Sequence, residues 1–200
     1  MSYSSEQTRE RILQCAEQEF LEFGYQKANL RKIAENAKAT TGALYTHFKN
    51  KEELFEALVG QPAEELIADF KKLHERAEVL SADNTYSQKE KEAAGGTDWM
   101  LEYIYSHFNV FKLIICCSEG TAYAQYVDRL IEIEENAIRR ALPKEAVGNV
   151  DDFFIHVICG AGFHELFEAV RHDLPREEAL AYIARIKQFR FGGWREILGP

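Results

Sequence analysis

The chain is predicted to be all-α, with about nine helices: an N-terminal three-helix head containing a helix-turn-helix, and a larger helical body. Three observations carry that reading. Apolar residues recur three and four apart through most of the 200 residues. Alternation of the strand type is scarce. Side chains suited to capping stand directly before the apolar runs, at Ser4 or Ser5, Asn29, Thr40, Asn50 and Asp151.

The first helix covers residues 5 to 23. Ile12, Ala16, Phe20 and Phe23 form its stripe, and Gly24 stands where a helix-ending glycine would. Cys15 lies beside the stripe and reads as a small packing residue. Asn29 caps a second helix with Leu30, Ile33, Ala34 and Ala37 on its apolar side. Lys38-Ala39 makes a tight connection, and Thr40 caps a third helix ending at Phe48. Asn50, with Glu53 three residues on and Leu54-Phe55 behind it, is a capping-box start for a fourth. Two short helices joined by so short a turn make a helix-turn-helix.

The third helix shows what the head could do. Leu44 and Phe48 share its inward side, so the opposite side carries Gly42, Ala43 and Thr46, flanked by Tyr45 and His47. That outward face has no carboxylate and no bulky aliphatic residue, which lets a helix approach base edges in a major groove. Between Tyr25 and Lys51 stand six cations (Lys27, Arg31, Lys32, Lys38, Lys49, Lys51) and one acid, Glu35, in a chain whose net charge is -9. Positive charge gathered beside a face of small residues suits phosphate positioning together with base reading.

Ile33-Ala34, Thr40-x-Gly42-Ala43-Leu44-Tyr45-x-His47-Phe48 and Lys51-Glu52-Glu53-Leu54 resemble the DNA-binding signature of the TetR family of bacterial regulators. The resemblance covers roughly residues 8 to 56 and fades beyond Val59. It implies that Thr40, Thr41, Gly42, Ala43, Tyr45 and Thr46 meet the groove, and that Tyr45, His47 and Lys51 hold phosphates. Two positions depart from the family pattern: Lys38 replaces the usual turn glycine, and Asn29 replaces a threonine. A lysine in the left-handed conformation costs about 1 kcal/mol relative to glycine.

After the head, Leu54, Phe55 and Leu58 continue the fourth helix until Gly60-Gln61-Pro62 interrupts it, and the pattern resumes from Ala63 to about Leu80. This kink or break is equally compatible with a transmitting hinge and with an ordinary domain junction. The division expected is 1–55 for the DNA-binding head and 56–200 for a ligand-binding and dimerisation body. Residues 81 to 98 are polar, with Lys89-Glu90-Lys91-Glu92 and Gly95-Gly96, and read as a loop or an exposed, weak helix. From Trp99 to Cys117 the chain is apolar on more than one face. Glu119-Gly120-Thr121 ends that run, and a helix follows from about Tyr123 to Leu142 with Tyr126, Leu130, Ile133 and Ala137 in line. Pro143 to Asn149 is a loop. Asp151 caps a long apolar helix to about His172, and Pro175 opens the last one, through Leu198.

Composition narrows the function. A pI near 5.3 argues against a general nucleic-acid coat, though not against a local DNA-reading head. No run reaches the roughly 18 apolar residues of a membrane helix, and Phe153 to Phe163 is short and interrupted by His156. No signal peptide is visible. Cys15, Cys116, Cys117 and Cys159 do not form a disulfide framework, so the expected location is the reducing cytoplasm, away from any membrane. His107, His156 and His164 with the cysteines lack metal spacing, and neither a phosphate loop nor a nucleophile elbow occurs, so no enzyme activity, metal or cofactor is implied.

An aromatic body with scattered polar tips suits a small, partly apolar molecule. Candidate pocket residues are Trp99, Tyr103, Phe108, Phe111, Cys116, Tyr123 and Phe163. The last two helices have the composition of an interface, and Cys159-Gly160-Ala161-Gly162 would let a partner helix approach. The resemblance implies a four-helix dimer seam there, with Phe153, Val157, Gly160, Phe167, Ile183, Ile186 and Trp194. The whole reads as a homodimeric, ligand-responsive transcriptional repressor on a two-fold symmetric double-stranded operator, released by a small-molecule effector. The alternative is a DNA-bound scaffold with a protein partner and no effector. A third reading is a helical enzyme with a vestigial head.

Overall fold

A computed structural model describes residues 4–80, 86–141 and 150–198, with side chains over 4–76, 95–141 and 150–197. Among the described residues there are nine α-helices, one 3-10 turn and no strand. The helices are α1 (Ser5–Lys27), α2 (Leu30–Asn36), α3 (Thr41–His47), α4 (Lys51–Leu80), α5 (Tyr86–Ser106), α6 (Phe108–Cys117), α7 (Tyr126–Ala141), α8 (Asp152–Arg171) and α9 (Arg176–Leu198). The 3-10 turn covers Ala122–Gln125, just before α7. The loop expected at Pro143 to Asn149 lies outside the described residues.

Two compact units form. The first holds the chain up to Glu65 together with His107–Tyr126, and the second holds Leu66–Ser106 and the chain from Val127 onward. The division is therefore not a single cut near residue 55. The physical reason lies in α6, which packs on α1 and buries Phe111, Leu113 and Ile114. Asn109 donates from Nδ2 to Glu17 Oε1 at 2.7 Å on the same seam.

In the first unit the α1 stripe is buried at Ile12, Ala16 and Phe20. Phe23, expected on it, is instead 47% exposed, and the chain turns at the next residue, where Gly24 has φ +73°. Phe20 meets Phe55 edge-on at 5.2 Å, and Tyr25 meets Phe55 at 5.4 Å, which joins α1 to α4. Burial of several aromatic rings, each contributing roughly 1.5–3 kcal/mol, is the main stabilisation available to so small a group of helices.

Helix α4 is continuous through Gly60-Gln61-Pro62, so of the kink or break expected there the break does not occur. Two tyrosines hold this stretch. Tyr123 donates from its hydroxyl to Glu56 Oε2 at 2.7 Å, and Tyr126 donates to the Ala63 carbonyl at 2.9 Å. A Cβ on residue 60 would stand 2.3 Å from Glu56 Oε1 and 3.3 Å from the Tyr123 hydroxyl, so glycine makes room for this contact. Tertiary hydrogen bonds and packing here outweigh the local breaking tendency of proline.

In the second unit, Phe70 of α4 meets Phe163 of α8 edge-on at 5.8 Å. Val150, Ile155 and Cys159 form a buried cluster with Ile131, Ile138, Phe154, Trp194 and Ile197 against it. Helix α5 begins at Tyr86, so residues 86 to 98 are helical and the loop reading does not hold for them. Gly96 explains how: a Cβ there would lie 2.5 Å from Leu73 Cδ2, so the glycine lets α5 approach α4 closely. The apolar run from Trp99 splits at His107, whose φ/ψ of -127°/39° separates α5 from α6. Helix α8 is long and apolar enough by composition alone to cross a membrane. Within the second unit it buries Ile155, Cys159, Phe163, Leu166, Phe167, Ala169 and Val170, the pattern of a core helix.

Candidate nucleic-acid interface and helical-body cavity

The helix-turn-helix is built by local hydrogen bonds that the sequence calls for. Asn29 Oδ1 accepts from the backbone N–H of Arg31 at 2.9 Å, and Thr40 Oγ1 accepts from Ala43 N–H at 3.0 Å. Each fills one of the donors that a helix start leaves open. At the start of α4, Asn50 Oδ1 accepts from Glu53 N–H at 2.7 Å, while the Glu53 carboxylate reaches back one residue further than a capping box requires, to Lys49 N–H. The buried Glu19 carboxylate of α1 accepts from Asn29 N–H at 3.0 Å, and the Arg11 guanidinium donates to the Ala37 carbonyl. These two contacts clamp both ends of α2 to α1. Lys38 sits at φ +50°, so the turn adopts the left-handed conformation without a glycine.

Leu44 and Phe48 turn inward and are buried. Thr40, Thr41, Gly42, Tyr45 and Thr46 are exposed, while Ala43 and His47 are half-buried. Tyr45 is 50% exposed, a large side chain left out of the core. A Cβ on Gly42 would meet nothing closer than Thr40 Oγ1 at 3.8 Å. Among the described residues, no packing therefore requires glycine at this position. The one acid of the stretch, Glu35, is paired with Arg31 at 3.5 Å. A short helix with small and hydroxyl-bearing groups outward, in a cationic surround, can enter a major groove about 12 Å wide.

Lys51, expected to hold a phosphate, has a partner within the chain. Its ammonium donates to the Gln26 carbonyl at 3.0 Å and stands 5.0 Å from the Tyr25 ring centre. Partial burial lowers its pKa, with Glu19 opposing that effect. The side chain thus closes the last turn of α1, an internal role the residue pattern did not disclose. Lys49 keeps an exposed position one residue past α3's C-cap.

Residues 12–58 match the family model described as bacterial regulatory proteins, tetR family. The head is similar to the heads of TetR-family regulators. The chain is 44% identical over 64 residues to the transcriptional repressor BepR of Brucella suis, which covers 30% of this chain and 31% of that one. It is also 44% identical over 55 residues to the regulator TtgR of Pseudomonas putida, covering 28% and 26% respectively. The match spans about a third of the length of such curated relatives. Along nearly the whole chain the fold is similar to that of NalD from Pseudomonas aeruginosa, the secondary repressor of the MexAB-OprM multidrug efflux pump. That match has 26% identity and a TM-score of 0.53, over 91% of this chain and 97% of that one. The TetR-family regulator PfmR of Thermus thermophilus is similar at a TM-score of 0.61 and 21% identity, over 89% and 97%.

The second unit contains a cavity of about 230 Å³. Phe70, Leu73, Met100, Ile158, Phe163, Phe191 and Trp194 give it an apolar wall, and His74, Glu134, Glu165, Lys187 and Arg190 give it polar points. Of the seven pocket residues expected from sequence, Phe163 lines this cavity. Trp99 and Tyr103 stack on one another at 5.9 Å along α5, outside its wall. Phe108, Phe111, Cys116 and Tyr123 belong to the first unit, because α6 packs on α1. The missed residues carried one signal. His74 and Glu134 are polar groups at apolar stripe positions, four residues after Phe70 and Leu130.

The expected dimer residues divide as well. Phe153 and Val157 are 75% and 46% exposed, and Gly160 is half-buried on the same side of α8. Phe167 and Ile183 are fully or almost fully buried inside the second unit, so neither can face a partner; they fill the core. Ile186 and Trp194 line the cavity, and Trp194 meets Phe154 edge-on at 5.8 Å. Gly162 serves the interior too, since a Cβ there would stand 3.0 Å from the Arg190 guanidinium. Phe189, not expected, is 76% exposed on α9.

Proposed function

We propose that the chain is a DNA-binding transcriptional repressor that meets a two-fold symmetric operator as a homodimer and releases it when a small molecule occupies the second unit. The observation that carries this reading is the outward face of α3, where Thr41, Gly42, Tyr45 and Thr46 stand exposed within a segment matching a family of bacterial regulators. Groove reading by that face, with Thr40, Ala43 and His47 at its margins, requires no internal role for Gly42, and none is found. The repressor sense rests on what BepR and NalD are named.

A single head offers too few base contacts for specificity, and a dimer supplies two, set about 34–36 Å apart on the duplex. The exposed apolar residues Phe153, Val157 and Phe189 support a seam on α8 and α9, with Gly160 allowing close approach. Helix α4 carries residues 51–65 of the first unit and 66–80 of the second, so it is the covalent route by which an occupied cavity would shift a head. A ligand that binds one arrangement better than the other moves the population by that difference.

The test is a titration of the full chain against the DNA upstream of its own gene at two salt concentrations, with scrambled DNA as control. Specific, salt-sensitive binding with two subunits per site is expected. Binding no tighter than to scrambled DNA, across both that segment and a random-sequence selection, overturns the proposal.

A further inference from the structure

Three acids and two bases stand in or beside the cavity of the second unit, and four of the five are paired. Arg190 donates to Glu165 at 2.6 Å and to the Ile158 carbonyl at 3.0 Å. Lys187 donates to Asp98 at 2.7 Å. Glu134 remains. Its carboxylate faces His74 Nε2 at 2.9 Å, yet that nitrogen is buried and makes no hydrogen bond, so the two atoms are close without being aligned. Among the described residues no side chain or backbone group donates a hydrogen bond to Glu134. A partly exposed carboxylate at the edge of an apolar wall still has lone pairs free to accept from an N–H or O–H placed in the cavity.

We propose that this cavity binds a lipophilic amine, its apolar body held between Phe70, Phe163 and Trp194 and its protonated nitrogen donating to Glu134. The ring of His74 stands edge-on to Phe70 at 4.5 Å. A carboxylate ligand would meet cations already engaged and an acid that is not. The negative field of Glu134 also reaches the wall beside it, where burial first and then Glu134 and Glu135 hold the Cys159 thiol at a pKa of about 12. For its place in regulation the proposal rests on the effector reading above.

The experiment is calorimetric titration of the full chain with three compounds sharing one two-ring body: naphthylmethylamine, naphthylmethanol and naphthoate, at neutral pH. The amine is expected to bind at least about tenfold tighter than the alcohol, and the naphthoate weakest, since a charge-assisted hydrogen bond is of that order. Glu134→Gln should abolish the preference for the amine while the alcohol binds as before. His74→Gln, which removes the internal neighbour, should leave the preference intact and covers the case of a poorly folded Glu134 variant. Equal binding of amine and alcohol overturns the proposal, as does tightest binding of naphthoate, a preference that survives Glu134→Gln or is lost in His74→Gln, or no binding at all. Adding the same compounds to the protein–DNA complex separates the two readings. Glu134-dependent binding without DNA release keeps the site and removes the effector role.

Discussion

Replacing Gly42 by alanine sets folding against DNA binding, with opposite signs expected for the two. Gly42 lies in the first turn of α3, and a Cβ there meets only Thr40 Oγ1, at 3.8 Å, an ordinary van der Waals distance. The substitution therefore introduces no clash within the chain. Alanine also loses less backbone entropy than glycine on entering a helix, so the head should gain up to about 0.5–1 kcal/mol of stability. On the DNA side, a methyl group placed where the helix comes nearest the base edges should displace the neighbouring contacts. A loss of about 1–3 kcal/mol per subunit is expected, comparable to spoiling one base contact, which is roughly 5- to 150-fold in affinity. Urea unfolding followed by circular dichroism measures the first quantity, and titration on the selected operator measures the second. A variant that is more stable and binds DNA as tightly as before would refute the assignment of this face to the groove. One that is less stable would refute the packing argument.

Lys49→Ala should lower the slope of log K against log salt by about 0.9 per subunit at unchanged stability, whereas Lys51→Ala should cost roughly 1 kcal/mol of stability and move the slope less. Equal slope changes in the two variants would show that the Lys51 ammonium leaves the Gln26 carbonyl for a phosphate. If the chain dimerises as proposed, Phe153→Glu combined with Phe189→Glu should yield a monomer in sedimentation while leaving helicity intact; an unaltered sedimentation coefficient would place the seam elsewhere. The Cys159 thiol, held at about 12, stays protonated at pH 8 and should resist iodoacetamide that readily labels the exposed Cys116. Because burial raises this pKa above the unfolded value near 9, its contribution to stability is complete below pH 9 and is lost as pH rises from 9 toward 12. A Cys159→Ala variant should lack that part of the alkaline decline in unfolding free energy.

How much of this was readable beforehand depended on how local the determining interaction is. The head was legible almost residue by residue. Asn29, Thr40 and Asn50 cap helices through contacts two or three residues away, and Leu44 and Phe48 turn inward by helical period alone. The left-handed Lys38 could be foreseen because it stands where the resembled family has a turn glycine. Where a rule of local propensity was applied alone, it failed twice in the same direction, reading an interruption where the chain is helical. Pro62 lies inside a continuous helix, where Tyr123 and Tyr126, some sixty residues away in sequence, hold the backbone around it. Gly96 belongs to a helix because Leu73 needs its missing side chain.

The sequence by itself determined the fold class, the helix-turn-helix and the outward face of α3, since each follows from spacing and capping within a few residues. Only the tertiary structure decided which apolar residues are core and which are surface. Phe153 and Phe167 look alike in an apolar helix, yet one is 75% exposed and the other fully buried. The same holds for the cavity. Phe111 was removed from it by the packing of α6 on α1, while His74, Glu134 and Arg190 were brought to it from α4, α7 and α9. Spacing along one helix fixes which residues share a face. Which face meets which partner depends on residues far apart in the chain, and no local pattern records that.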